Sequence, residues 1–91
     1  MRVHEEADRT IIVIDSELTI QNAGRMRADL ASLKLAKPLV IDLTEVTEID
    51  SAGLQLIFAL EKDLKDKNLS LQVLPSQSAR SVADICGLSW T

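Results

Sequence analysis

The sequence predicts an α/β domain in which a mixed sheet packs against about three helices. Strands and helices alternate along the chain in the order β, β, α, β, α, β, α. Two of the strands are each reached through a helix, which favours parallel pairing with their neighbours. With 91 residues, of which 46% are apolar, we expect a single domain over residues 1–91 with one modest core.

Two strands are predicted near the start of the chain. Residues Arg2 to Glu5 predict an edge strand, followed by a turn near Asp8. The β-branched run from Thr10 to Ile14 is apolar at consecutive positions, which is typical of a strand covered on both faces. A polar loop from Asp15 to Thr19 follows this strand, and we expect Thr19 to cap the next helix.

An amphipathic helix and a second buried strand come next. Apolar residues recur at helical spacing over about 14 residues, at Ala23, Met26, Leu30 and Leu33. Pro38 ends this helix, because proline has no N–H to donate and its ring clashes with the preceding turn. The apolar run from Leu39 to Leu43 then predicts the second buried strand.

The second half of the chain predicts a long helix and a half-exposed strand. After a polar connection from Thr44 to Asp50, Ser51 opens a helix that runs to about Lys67 and stops at Asn68. Apolar and polar side chains then alternate, which predicts a strand near an edge of the sheet, with the apolar positions at Leu69, Leu71 and Val73.

A third helix is predicted from Ser78 to Cys86. Gly87 stands where the end of a helix requires left-handed backbone, and Leu88 is placed to pack back against the helix. We expect Trp90 to cover an end of the core and Cys86 to be a buried apolar residue.

The composition excludes several classes of function. The net charge is -4 and no basic patch is present to neutralise phosphates, so we expect no nucleic-acid partner. The single cysteine, Cys86, excludes an internal disulfide, and the single histidine, His4, excludes a histidine-based zinc site, so we predict no metal and no cofactor. No apolar stretch approaches the length of a bilayer and the acidic start differs from a signal peptide, so we expect a cytoplasmic protein without membrane insertion.

One segment places a serine hydroxyl at the predicted start of a helix, where it could be phosphorylated. Ser51 follows Asp50 at the junction of a strand, a loop and a helix, and Ala52 and Gly53 come directly after it. These small residues leave room for another protein to approach, and the helix N-terminus favours a phosphate on the hydroxyl. The simpler interpretation, which the sequence leaves open, is that Ser51 or Asp50 only caps the helix.

The helix after Ser51 carries apolar residues on two sides. One stripe at helical spacing predicts the contact with the core, whereas Leu54 and Phe58 lie on the same side as Ser51 and Gln55. These two side chains either pack on a neighbouring helix of the monomer or form an exposed apolar patch for a partner. In the second case, Ser51 lies at the edge of the patch.

The segment Asp50-Ser51-Ala52-Gly53-Leu54, after the strand Val40-Ile41-Asp42-Leu43, resembles the signature of STAS domains, the anti-sigma factor antagonists and their relatives. The loop Ser16-Glu17-Leu18-Thr19 is similar to the Gly-x-Leu-Asp or Gly-x-Leu-Thr turn of that family. The resemblance covers nearly the whole chain. It implies a four- or five-stranded mixed sheet packed by helices, in agreement with the predicted order of elements.

The resemblance also implies partner switching. In this family the unmodified protein binds an anti-sigma factor that is a GHKL-type serine kinase, and the kinase uses ATP to phosphorylate the serine that corresponds to Ser51. Phosphorylation weakens binding, and a phosphatase resets the switch. The partner surface implied around Ser51 consists of Glu17, Thr19, Asp50, Ala52, Gly53, Leu54, Gln55 and Phe58.

Other functions are alternatives. Similar stand-alone STAS proteins are regulatory subunits of lipid-transport ATPases or adaptors beside chemotaxis components. A serine hydrolase needs a base, but the only histidine, His4, lies on the predicted edge strand, and Ser51 lacks the Gly-x-Ser-x-Gly motif. No glycine-rich phosphate-binding motif is present, so a nucleotide would enter with a kinase partner. The sequence leaves the sigma factor, the pathway and the oligomeric state open.

Overall fold

The computed structural model of the chain describes residues 1–85, and within them the elements follow the predicted order. The predictions for Cys86, Gly87, Leu88 and Trp90 lie outside the described residues. The strands and helices are β1 (Arg2–Glu5), β2 (Thr10–Val13), α1 (Ala23–Ala31), β3 (Leu39–Asp42), α2 (Ser51–Asp66), β4 (Leu71–Leu74) and α3 (Gln77–Ile85).

The four strands form one mixed sheet in the order β1-β2-β3-β4. The edge strand β1 runs antiparallel to β2, whereas β2 pairs with β3 and β3 with β4 in parallel. The register aligns Ile12 with Ile41 and Ile41 with Val73, so these side chains share one face of the sheet. The predicted parallel pairing is confirmed, and its cause is the helix that connects each of these pairs.

The core lies on the face that carries Ile12 and Ile41. The helices α1 and α2 contact each other, and their buried residues belong to the same core cluster as Ile12 and Ile41. The core is aliphatic, as the low aromatic content predicts. Its fully buried large side chains are Ile12, Ile14, Leu18, Leu39, Ile41, Leu43, Val46, Ile57 and Leu64.

The first helix is shorter than predicted and starts later. It has nine residues instead of about 14, and its N-cap is Asn22 instead of Thr19. The carbonyl of Thr19 accepts hydrogen bonds from the N–H groups of Asn22 (3.0 Å) and Ala23 (2.8 Å), so a separate turn precedes the helix. The helix ends at Ala31, well before Pro38, so the prediction that Pro38 ends it is wrong. Leu33 packs against the core from the connection to β3.

The second helix ends as predicted. Asn68 has a φ of 58°, and its N–H donates to the carbonyl of Lys65 at 3.0 Å. Asparagine tolerates this left-handed backbone better than most residues, which explains why it stops the helix. Along β4 the side chains alternate between half-buried and exposed, which confirms the predicted half-exposed strand. No helix within residues 1–85 is long and apolar enough to cross a membrane.

Candidate functional site

The carboxyl ends of β2 and β3 bring two loops together at one edge of the sheet. Because parallel strands end at the same edge, the loop after β2 lies beside the loop after β3, which leads into α2. A parallel bridge joins Leu18 to Ile49 across these loops, with the N–H of Leu18 donating to the carbonyl of Glu48 at 2.9 Å. We call residues 15–22, residues 43–50 and the first turn of α2 the Ser51 edge.

The Asp50 carboxylate joins parts of the Ser51 edge by hydrogen bonds. As the N-cap of α2, it accepts a hydrogen bond on Oδ1 from the N–H of Gly53 at 3.1 Å. Its other oxygen, Oδ2, accepts one from the N–H of Ile20 at 2.9 Å, across the two loops. The hydrogen bond from Ile20, and then that from Gly53, holds the pKa of the Asp50 carboxyl below its usual range, because both favour the charged form.

Ser51 is the first residue of α2, and its side chain is exposed. Since Asp50 supplies the cap, the structure decides between the two capping residues that the sequence left open. Within residues 1–85, no protein group is hydrogen-bonded to the Ser51 hydroxyl. The hydroxyl therefore points from a helix N-terminus to solvent, where a second molecule can reach it.

Gly53 does not leave room for a partner, contrary to the prediction. It is buried, and a Cβ placed on it would lie 2.1 Å from the carbonyl oxygen of Leu18 and 2.9 Å from Cγ1 of Ile49. The space beside the glycine is therefore filled by the chain's own loop after β2. Ala52, the other small residue, is half-buried. The glycine permits a close contact inside the domain.

Of the two interpretations left open for Leu54 and Phe58, the structure supports packing inside the monomer. Leu54 is 2% exposed and belongs to the aliphatic core, and Phe58 is half-buried and packs against that core. The periodicity underestimated the buried arc of α2, because the helix packs against α1 as well as against the sheet. Gln55, in contrast, is exposed, as predicted for the side of the helix that carries Ser51.

The loop after β2 contributes both exposed and buried residues. Glu17 is exposed, Leu18 belongs to the core, and Thr19 is 9% exposed. Ile20, which no sequence pattern singled out, is 77% exposed. The signal available in the sequence was a lone isoleucine in an otherwise polar turn.

Acidic groups surround the Ser51 edge. Arg2 pairs with Glu45 and with Asp15, the latter at 3.6 Å. Glu17 and Glu48 are exposed and have no cationic partner within residues 1–85. No group of three or more His, Cys, Asp or Glu side chains in this part of the chain is arranged to hold a metal ion. The edge therefore combines the exposed Ser51 hydroxyl with negative charge.

Comparisons with known proteins agree with this architecture. The sequence matches the family described as "Mlab, STAS domain" over residues 1–88. The fold is similar to that in "Structure of the Anti-Sigma Factor Antagonist SpoIIAA in its Unphosphorylated Form", with a TM-score of 0.76 and 18% identity over 96% of this chain and 80% of that one. It is also similar to that in "Crystal Structure Analysis of Mglu", with a TM-score of 0.72 and 22% identity over 84% of this chain and 19% of that one. No curated protein sequence matches significantly.

Proposed function

Because this chain belongs to the STAS domain family, we propose that it is a partner-switching regulator that acts by binding other proteins and not by catalysis. In its unmodified form it binds a GHKL-type serine kinase of the anti-sigma factor kind. The kinase transfers the γ-phosphoryl group of ATP to the Ser51 oxygen, the hydroxyl proton is released and ADP remains. A phosphatase removes the group and restores binding.

The exposed hydroxyl of Ser51 is the observation that carries this proposal. A kinase must bring the serine oxygen in line with the γ-phosphoryl group, and a side chain used as a helix cap would first have to be released. Here Asp50 is the cap, so Ser51 can be modified without loss of a hydrogen bond to the first turn of α2. The helix N-terminus also favours the negative charge of the product.

The charge added by phosphorylation explains why binding would be switched. A phosphoryl group adds about -1.5 to -2 charges and would take the net charge from -4 to about -6. On the partner, this dianion would face the phosphates of the ADP that has just formed. On the chain itself it would lie near Asp50 and Glu48. Like charges repel and buried charges are costly to desolvate, so a 10- to 1,000-fold loss of affinity is well within reach of this modification.

The proposed function also implies a cellular compartment and a set of partners for the protein. A partner that consumes ATP is met in the cytoplasm, which is where we place this chain. Proteins are the partners, namely the kinase and a cognate phosphatase, with no role for nucleic acid or for insertion into a membrane. No cofactor takes part, since ATP belongs to the kinase.

A second candidate is a constitutive regulatory subunit of a lipid-transport ATPase, which the resemblance left open beside a chemotaxis adaptor. The family description that matches the sequence, "Mlab, STAS domain", names neither a sigma factor nor a transporter, so it is compatible with both functions. The two functions differ in their dependence on Ser51. A constitutive subunit co-purifies with its ATPase whether or not the serine is modified, whereas a switch protein leaves its kinase once Ser51 carries a phosphoryl group.

Phosphorylation with purified kinases tests the proposal. Each GHKL-type serine kinase of the source organism is incubated with the chain and ATP, and the modified peptide is identified by mass spectrometry. We expect one kinase to modify Ser51, to leave Ser51→Ala unmodified, and to modify Ser81→Ala as well as the wild type. Ser81 is a suitable control because it is an exposed serine of α3. Undiminished modification of Ser51→Ala, or no modification by any kinase, would overturn the proposal.

A further inference from the structure

Ile20 is the exposed apolar side chain of the Ser51 edge. It is 77% exposed, although the hydrogen bond from its N–H to Oδ2 of Asp50 ties its backbone to the residue that precedes Ser51. Within residues 1–85, only Ile85 among the large apolar side chains is more exposed. The exposed side chain contributes little to folding, and a partner that docks on the Ser51 edge would gain affinity by burying it.

The backbone that carries Ile20 is held on both sides. The N–H of Thr19 donates to Oδ1 of Asn22 at 2.9 Å, and the N–H of Asn22 donates back to the carbonyl of Thr19 at 3.0 Å. Isoleucine is also stiff at χ1 because it is β-branched. A side chain that is already oriented loses little conformational entropy when a partner covers it, which is the property of a good anchor.

The charge around Ile20 limits the kind of surface that can cover it. The segments 10–24 and 38–61 contain no Lys, Arg or His, and they carry the exposed carboxylates of Glu17 and Glu48. A docking protein that brought further carboxylates here would be repelled. One that brought Lys or Arg opposite these two glutamates would be attracted and would associate faster at low salt.

We propose that Ile20 anchors the protein partner of the Ser51 edge by entering an apolar pocket that is bordered by Lys or Arg side chains. The inference rests on the proposed function, because it assumes that this edge is the docking surface. The basic border faces Glu17 and Glu48, whereas Ser51 faces the catalytic site of the partner. Ile20 then sets the affinity of docking, and Ser51 sets whether docking persists.

The first step of the test identifies the partner protein, which is then used as the binding probe in the second step. The full chain carries a photoreactive benzoylphenylalanine in place of Ile20 in one culture of the source organism and in place of Gln55 in another. Gln55 is exposed one turn beyond Ser51. After irradiation, adducts are identified by mass spectrometry, and the protein that forms adducts from both positions is purified. No adduct from either position would overturn the inference together with the proposed function.

The second step measures the affinity of this purified protein for four chains by calorimetry. We expect binding to be about 10-fold weaker for Ile20→Ala and about 100-fold weaker or more for Ile20→Lys, compared with the wild type. Val3→Ala, which shortens another partly exposed apolar side chain on the edge strand β1, should bind within about twofold of the wild type. For the wild type, we expect affinity to fall several-fold between low and high salt. Wild-type affinity of both Ile20 variants would overturn the inference.

The outcome for Ile20 can be separated from the outcome for the proposed function. If binding depends on Ile20 but the partner does not phosphorylate Ser51, the anchor stands and the kinase proposal falls. If the partner phosphorylates Ser51 on Ile20→Lys at the wild-type rate, the kinase proposal stands and the anchor falls. Thermal melting of each variant confirms that the exposed substitutions leave the fold intact.

Discussion

The carbonyl oxygen of Leu18 occupies the space that a side chain on residue 53 would need. A Cβ at Gly53 would lie 2.1 Å from this oxygen, which is closer than any real contact. The same oxygen accepts a hydrogen bond from the N–H of Asp50 at 3.2 Å. The loop after β2 and the first turn of α2 therefore form one packed unit, and Ser51 is presented by that unit.

Gly53→Ala should destabilise the protein. The new methyl group meets backbone atoms of Leu18, which cannot move aside as a flexible side chain would, so we expect a loss of about 1–3 kcal/mol in the free energy of unfolding. Gly24→Ala is the matched control, because nothing lies within 4 Å of its Cβ on α1, and helix propensity favours alanine by about 0.5–1 kcal/mol. Denaturant unfolding of both variants measures the difference. Equal stability of the two would contradict the packed contact.

Asp50→Ala and Asp50→Asn should release the loop after β2 to different extents. Alanine removes both acceptors, whereas asparagine keeps an oxygen that can still cap α2 through Gly53 but offers an N–H₂ group towards Ile20. We expect hydrogen exchange at the Ile20 amide to rise about 10-fold or more in both variants. At the Gly53 amide it should rise in the alanine variant alone. Unchanged exchange at Ile20 would show that Asp50 does not hold the loop.

Acid should weaken the contact between Asp50 and the loop. The folded pKa of this carboxyl lies below its ordinary value of 3.8, because the N–H groups of Ile20 and Gly53 favour the charged form. A depressed pKa contributes stability above the ordinary value, and that contribution is lost as the pH falls through the folded pKa. The stability difference between wild type and Asp50→Asn should therefore be constant above about pH 5 and shrink below about pH 4. Denaturant midpoints from pH 7 to pH 3 measure it; a difference that grows in acid would refute this assignment.

Leu54→Ala should act through stability. The side chain is 2% exposed in the aliphatic core, so its truncation should cost about 2–5 kcal/mol in the free energy of unfolding. Gln55→Ala, at the exposed neighbouring position, should change the same quantity by less than about 0.5 kcal/mol. Thermal or denaturant unfolding distinguishes the two. A Leu54→Ala protein as stable as the wild type would mean that Leu54 is not part of the core.

Substitutions at Ser51 should leave the fold unchanged. The side chain is exposed and Asp50 provides the cap, so Ser51→Ala and Ser51→Asp should each unfold within about 0.5 kcal/mol of the wild type. Aspartate at the start of α2 is compatible with the helix dipole, which makes this variant a usable charge mimic. Circular dichroism melting provides the measurement. A large loss of stability in Ser51→Ala would indicate that the hydroxyl has a structural role.

The order of elements and the place of Ser51 could be predicted from local patterns. Runs of β-branched residues such as Thr10 to Ile14 determine strands through backbone and side-chain preferences that need no distant partner. Asn68 likewise stops α2 because its own backbone tolerates a positive φ. These properties depend on residues close in sequence, and they can therefore be predicted from the sequence alone.

The sequence by itself determined a mixed α/β sheet with a serine at the start of its long helix. Tertiary structure alone decided that Asp50 and not Ser51 caps that helix, that Leu54 is buried, and that Ile20 is exposed. Periodicity gives the direction in which a side chain leaves the axis of its own helix. Its burial depends on which other elements pack on that side. The loop after β2 and the helix α2 meet only because parallel strands end at the same edge, so no local pattern could assign these contacts.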